Sequence, residues 1–367
     1  MIRRVLVLLV FLMASCIEVY NFSSEQEERV LVVEGNITTQ PGIHQIRLTK
    51  TEKFGPDFIG LNRTEARATV LIKDDLGRVI KLEEGNDRGI YFTPDGFSAE
   101  VGRSYNLEIT LFDGKRYISR PEKVYPVPEI DSISYHAVKN ASIDRLNEEF
   151  GVQVMAHFQD PEEQSNYYYW KMLESTFALI TEPHLTRREA PALNLPFDID
   201  NTGKCCSRCF HTDIPKPTNI ITTDDVDFNG NYQRRMIAYI EDNGLRFKET
   251  YRLDLQHLSV SPETHRFLKL VDQQLRLTGS VFDPPPANIR GNMISLNDPE
   301  EVVLGQFFVS DERRLRIYIH KRNLEFYKLP QTIVPINCVA FLFQNPIVGY
   351  PSIPLPVDPP IDWDPEG

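Results

Sequence analysis

Tyr105-Asn106-Leu107-Glu108-Ile109-Thr110-Leu111, then Phe112-Asp113-Gly114-Lys115, then Arg116-Tyr117-Ile118-Ser119, is the stretch that decides the fold class. Leu107, Ile109 and Leu111 alternate with Asn106, Glu108 and Thr110. That period of two places the apolar set on one face of a strand and leaves the other face wet. Asp113-Gly114 is an Asp-Gly hairpin turn, because glycine supplies the positive φ that tight hairpin connections require. Arg116 to Ser119 is then the return strand.

The same texture extends outward. Val30 to Ile37 reads as a strand, His44 to Lys50 alternates cleanly, and Ala68 to Lys73 ends in the turn Asp74-Asp75-Leu76-Gly77. Gly89 to Phe92 is a short strand. Several short strands with regular turns and no helical period predict a β-sandwich of about 100 residues, placed at 30–125. Pro121, Pro126 and Pro128 mark a linker. A second β-rich region follows at 126–345. Its strands are Ile130 to Val138, Gly151 to Gln159, Asn166 to Lys171, Arg235 to Ile240 and Thr250 to Leu258. Val302 to Val309, Leu315 to His320 and Ile333 to Phe343 complete the set. Asp160-Pro161 breaks one strand, and Asn243-Gly244 is a turn signal between two others. Thr181 to Gly230 reads as a long irregular segment, and Asp224, Asp225 and Asp227 within it as a solvated acidic loop. One helix is expected from Ser261, a good N-cap, with Pro262 at the first helical position and Glu263 at the positive end of the dipole. Phe267, Leu268, Leu270, Val271 and Leu275 give it an apolar stripe. The Pro-rich tail, 346–367, favours extended polyproline conformation, with Trp363 as a docking contact. The predicted fold is therefore mainly β: two β-sandwich-like domains of immunoglobulin or fibronectin type, the second carrying one inserted helix.

Met1 to Ser15 has the layout of a secretory signal: Arg3 and Arg4, an apolar run from Val5 to Met13, then small residues. The run is far short of the roughly 20 residues that span a bilayer. Leu12-Met13-Ala14-Ser15-Cys16 looks like a bacterial lipobox, with Met13 standing where Leu is usual. The expectation is cleavage before Cys16 and lipidation of its thiol, palmitate included, followed by a polar tether at 16–29. Acyl chains gain about 0.8 kcal/mol per buried methylene, so two or more hold a protein to a membrane. The chain carries a net charge of −12, which becomes −14 without Arg3 and Arg4. So acidic a protein is disfavoured as a nucleic-acid binder.

Removing Cys16 leaves Cys205, Cys206, Cys209 and Cys338, an even number that reads as disulfides in an exported chain. Adjacent Cys205 and Cys206 are poorly disposed to bond each other. The expected connectivities are Cys205–Cys209 with Cys206–Cys338, or Cys206–Cys209 with Cys205–Cys338. A zinc site built from Cys206, Cys209, His211 and Cys338 is the rival, as is a redox-active C-x-x-C, but the second half of a typical zinc motif is missing. Tyr167, Tyr168, Tyr169 and Trp170 must fall on both faces of one strand. Two belong to the core and two to a partly wet face, and the sharper alternative is an aromatic ligand platform or protein interface. No metal-binding, nucleophile-elbow, phosphate-loop or dinucleotide motif occurs, so no catalytic residue, metal ligand or cofactor is assigned.

Val33-Glu34-Gly35-Asn36-Ile37-Thr38, Ala68 through Gly77, Gly89-Ile90-Tyr91 and Gly102 through Ile109 resemble a lipoprotein family of Bacteroidota, domain of unknown function 4249. The second half fits in the same order: Asp160-Pro161 with Asn166-Tyr167-Tyr168, Cys205-Cys206-Ser207-Arg208-Cys209, the helix from Ser261, Pro286 to Asn292, and Leu304-Gly305-Gln306-Phe307. The resemblance implies a lipid-anchored outer-membrane protein, on the periplasmic or cell-surface side, that partners a TonB-dependent receptor or similar β-barrel. It brings no catalytic residues. Two other classes stay open: an envelope hydrolase with spatially assembled carboxylates, and a structural surface lipoprotein.

Overall fold

The computed structural model describes residues 29–51, 63–140, 148–162, 165–182, 207–215, 220–277, 289–334, 338 and 356–366. The signal segment, Cys16, most of the tether, Cys205, Cys206, the first part of the tail and most of the strand expected at Ile333 to Phe343 lie outside these residues. In the first part of the chain the strands are β1 (Leu31–Thr38), β2 (Gln45–Lys50), β3 (Arg63–Thr64), β4 (Thr69–Asp74), β5 (Val79–Lys81), β6 (Glu83–Glu84), β7 (Ile90–Phe92), β8 (Ser104–Thr110), β9 (Arg116–Ser119) and β10 (Glu122–Lys123). The hairpin that decides the fold class forms as its alternation requires. Tyr105, Leu107 and Ile109 of β8 are buried, and Gly114 holds a φ of 89° in the turn to β9.

The second part adds β11 (Ser132–Asn140), β12 (Glu149–Gln159), β13 (Tyr167–Met172), β14 (Ser175–Ile180), β15 (Arg208–Asp213), β16 (Ile221–Asp224), β17 (Tyr232–Glu241) and β18 (Thr250–Ser259). Helix α1 (Pro262–Leu275) follows, then β19 (Met293–Ser295), β20 (Leu304–Ser310) and β21 (Glu312–His320). Ser261 caps α1 as its residue type predicts, its Oγ accepting from the Thr264 amide at 3.1 Å. Four sheets result. Sheet I runs β20-β1-β2-β7-β6 with β3 on β2, and sheet II runs β19-β9-β8-β4-β5 with β10 on β8. These two enclose one core, which includes Val33, Ile46, Leu107 and Phe307. Sheet III is β11-β12-β17. Sheet IV is β15-β14-β18-β13-β16, with β21 along β18. They enclose the second core, around Phe158, Trp170, Leu253 and Ile319.

The expected architecture of two sandwiches with a helix holds, but the expected boundary at 125/126 does not divide the strands. β19 pairs β9, and β20 lies parallel to β1 with Val32 opposite Leu304 and Thr38 opposite Ser310. Residues 293–310 therefore finish the first sandwich, and the chain crosses back at Asp311 into β21. Alternation cannot reveal this, because it specifies a wet face and a dry face but no pairing partner. Gly305 shows how close the return strand comes: its φ is 84°, and a Cβ there would collide with the Val33 carbonyl oxygen. Residue 291 is glycine for a related reason, since a Cβ there would strike the Gly305 carbonyl. Asn292 then clamps β20, accepting from the Phe307 amide at 3.1 Å and donating to the Phe307 carbonyl at 2.6 Å.

Two other expectations are corrected. The segment from Thr181 to Gly230 is not irregular throughout, because β15 and β16 lie within it and pair β14 and β13. The acidic loop is not simply solvated either: Asp225 is buried and accepts from the Asn166 amide at 2.7 Å. Asn243-Gly244 forms its turn, but the turn carries the chain from sheet III to sheet IV rather than closing a hairpin. Asp160, read only as a strand breaker, is a buried clamp. It accepts from the Tyr168 hydroxyl at 2.5 Å and from the Gly230 amide at 3.0 Å, closing the loop before β17 onto β13. Trp363 docks as expected, edge-on to Phe210 and Tyr318, while Asp362 is paired with Arg252 and Arg316.

The two sandwiches meet through a polar seam. Glu312, fully buried, accepts from the Thr38 hydroxyl at 2.5 Å and the Gln256 amide at 2.8 Å. Asp311 accepts from the Thr39 hydroxyl at 2.6 Å and the Val127 amide at 2.9 Å. Glu122 of β10 is also buried, accepting from Asn292 at 3.1 Å and from Thr264 of α1 at 3.3 Å. Burial outweighs these hydrogen bonds and those from Ser261, and lifts the Glu122 carboxyl to about 7. The folded protein thus holds this proton up to about pH 7, whereas the unfolded chain releases it near 4.5. Stability from this group is complete below pH 4.5 and lost as pH rises toward 7, by up to about 3 kcal/mol. Glu122→Gln is accordingly expected to raise the urea midpoint above pH 7 and to leave it nearly unchanged near pH 4. A lower midpoint at both pH values would contradict this.

Candidate functional site

The outer face of sheet I does not open to solvent everywhere. β1 turns Val33 and Ile37 into the first core, which leaves Glu34 and Asn36 on the opposite face. β20 does the same with Phe307 and Val309 inward, and Gln306 and Phe308 outward. This face meets α1 and the outer side of sheet IV, and the three surfaces bound a cleft of about 730 Å³. A cleft of this size suits a small-molecule ligand. Its apolar lining comes from Tyr169, Phe308 and the helix residues Phe267, Leu268 and Val271. Its charged lining is Arg47 and Glu34 from the first sandwich, and Lys171, Glu312 and Arg314 from the second.

The four aromatics on β13 are divided by the strand's pleat. Tyr168 and Trp170 are buried in the second core beside Phe158. Tyr167 packs on His265 of α1, with ring centroids 5.3 Å apart. Tyr169 alone of the four lines the cleft, edge-on to Phe308 at 6.5 Å. Burial pushes its hydroxyl up to about 12. Lys171, two residues on and so on the same face, has its pKa lowered by desolvation, against the pull of Glu312 and Glu34. His44, at the cleft's edge, is likewise lowered by burial, and its Nε2 lies 3.2 Å from the Phe97 carbonyl. The helical stripe gave some warning of Phe267 and Val271. Nothing in the alternation marked Glu34, Arg47 or Phe308, since outward-facing strand residues read as solvent-exposed until another element covers them.

The cysteines lie elsewhere. Cys209 is joined to Cys338 with a Cα–Cα distance of 5.9 Å, inside the second core. This pairing belongs to neither connectivity expected from the sequence. The reason is the strand register: β15 turns Cys209 inward opposite Leu179, where buried Cys338 meets it. Neither sulfur is free to bind zinc, and His211 packs at a tilt against Phe177, with ring centroids 5.1 Å apart. Cys205, Cys206 and Cys16 lie outside the described residues.

One arrangement outside the cleft resembles a catalytic set. Thr222 Oγ1 lies 2.8 Å from His265 Nδ1, and Asp224 lies 3.4 Å from His265 Nε2. Thr222, however, donates to the Tyr168 carbonyl at 2.8 Å, so its proton is spent on strand pairing. His265 is buried beneath Tyr167, and burial lowers its pKa. The set fastens α1 to β16.

A family model described as a domain of unknown function, DUF4249, matches residues 17–316. No curated protein matches the chain.

Proposed function

We propose that this chain, which belongs to the DUF4249 family, is a lipid-anchored accessory or binding protein of the outer membrane, held by lipid on Cys16 and working beside a TonB-dependent receptor or similar β-barrel. The observation that carries the binding half of this reading is the cleft at the junction of the two sandwiches, lined from both sides by aromatic, carboxamide and charged groups. The anchoring half draws on the lipobox-like Leu12 to Cys16 and the acidic tether behind it.

Hydrolysis by two cleft carboxylates is the less favoured reading. The acids there are Glu34 and Glu312, and Glu312 is committed to Thr38, Gln256 and an ion pair with Arg314 at 2.9 Å. A buried carboxylate held by three donors, one of them an arginine, is poorly placed to take a proton from water or to carry one to a glycosidic oxygen.

Mild detergent extraction of the natively lipidated protein, followed by affinity purification, is expected to bring down one β-barrel receptor in stoichiometric amount. Cys16→Ala is expected to abolish both membrane retention and that association. Solitary purification at native expression levels would overturn the proposal.

A further inference from the structure

We infer that the cleft between the sandwiches takes a small amphiphilic carboxylate, its anionic end held by Lys171 and Arg47 and its apolar body by Tyr169, Phe308 and the α1 residues Phe267 and Val271. The inference deepens the binding role proposed above and does not need the receptor.

The charge bookkeeping of the cleft points to an anion. Three cations line it, Arg47, Lys171 and Arg314, against the carboxylates Glu34 and Glu312. Arg314 is neutralised by Glu312 at 2.9 Å. Among the described residues Arg47 and Lys171 form no ion pair and no side-chain hydrogen bond. Glu34 faces Arg47 across the β1–β2 ladder, yet the two are not ion-paired. Lys171 stands on the far wall, on β13, exposed to the solvent of the cleft. Both cations are exposed on the cleft walls, so an incoming anion meets them without displacing an existing ion pair. The lining carries one more positive charge than negative, in a chain whose net charge is −12. A locally positive cleft in an acidic body focuses the field on a small anion. Arginine offers a carboxylate two parallel donors, and lysine adds a point charge.

The other lining groups describe the rest of the ligand. Tyr169 and Phe308 form an edge-to-face pair, and Phe267 and Val271 lie one turn apart on the same side of α1. Together they make an apolar wall suited to a ring. Asn36 also lines the cleft, and its Oδ1 is buried with no hydrogen-bond partner among the described residues. That oxygen is an acceptor for an N–H or O–H on the ligand body. Three other carboxamides in the cleft have turned their nitrogens to the protein: Gln306 to Thr264, Gln256 to Glu312 and Gln40 to the Glu312 carbonyl. Their remaining capacity is also acceptor. The ligand is therefore a ring system with one carboxylate and at least one donor.

Indole-3-butyrate has these features, and its primary amide is a neutral match in shape. Titration calorimetry of the full lipidated chain in nanodiscs with both compounds tests the site. The acid is expected to bind about tenfold more tightly than the amide, the value of one charge-assisted pair. Lys171→Met is expected to erase that preference, Arg47→Gln to reduce it, and Tyr169→Ala to weaken acid and amide alike. Equal affinities, no binding of either compound, or a preference that survives Lys171→Met would overturn the inference. Carboxylate binding without receptor co-purification would remove only the receptor reading. Receptor co-purification without carboxylate binding would remove only this site.

Discussion

Reduction of the Cys209–Cys338 bridge is expected to lower the free energy of unfolding by up to about 5 kcal/mol. The two residues are 129 positions apart. In the chain-entropy view, opening a loop of that length frees the denatured ensemble far more than the native one. The enclosed loop contains β16 to β21 and α1, so the bond spans most of sheet IV and the strands that return to the first sandwich. Urea unfolding with and without reductant measures the effect directly. A Cys209→Ala, Cys338→Ala pair with Cys205 and Cys206 intact should reproduce it, with a small added cost for lost packing. Peptide mapping should recover 209 linked to 338. An unchanged midpoint on reduction, or a map linking 338 to 205 or 206, would refute the assignment.

The second large effect belongs to His257. It is fully buried, opposite Trp170 in the β13–β18 register, and the two rings stack with centroids 5.4 Å apart. Phe158 and Tyr168 close the other sides, and among the described residues neither ring nitrogen has a hydrogen-bond partner. Desolvation, with a smaller contribution from Arg313, lowers its pKa to about 3. The folded protein refuses the proton until about pH 3, whereas the unfolded chain accepts it near 6.5. Stability from this site is therefore complete above pH 6.5 and lost as pH falls toward 3, by about 4–5 kcal/mol at the limit.

His257→Leu is expected to flatten the acid limb of the stability profile while changing the neutral-pH midpoint little. Glu122 works in the opposite direction over part of the same range, gaining stability as pH falls from about 7 to 4.5. The comparison is clearest in a Glu122→Gln background. Urea midpoints at several pH values between about 7 and 4 supply the slopes. If the His257→Leu slope equals that of its parent, the buried imidazole does not drive acid unfolding.

Much of the fold was legible because it depends on local rules. Asp113-Gly114 closes its hairpin, Ser261 caps its helix, and the apolar positions of β1, β2, β4, β8 and β12 face inward as their period requires. The cleft was much less legible. Tyr169 was singled out with its three neighbours, but the pleat alone cannot say that Tyr167 would meet a helix and Tyr169 a cavity. Arg47 and Glu34 read as ordinary wet-face residues. Glu122 fell within the proline-marked linker and His257 within an ordinary strand, although the fold buries both.

By itself, then, the sequence determined which segments extend, where they turn, which face of each is apolar and where the single described helix begins. These follow from side-chain periodicity, backbone preferences at glycine and proline, and capping, all of which act over a few residues. Only the tertiary structure decided that β20 returns to lie beside β1, that Cys209 meets Cys338, and that two outward faces close over Lys171 and Arg47. Backbone hydrogen bonding is the same for every extended partner. The choice among partners is made by shape and burial across the whole chain, summed over contacts between residues far apart in sequence.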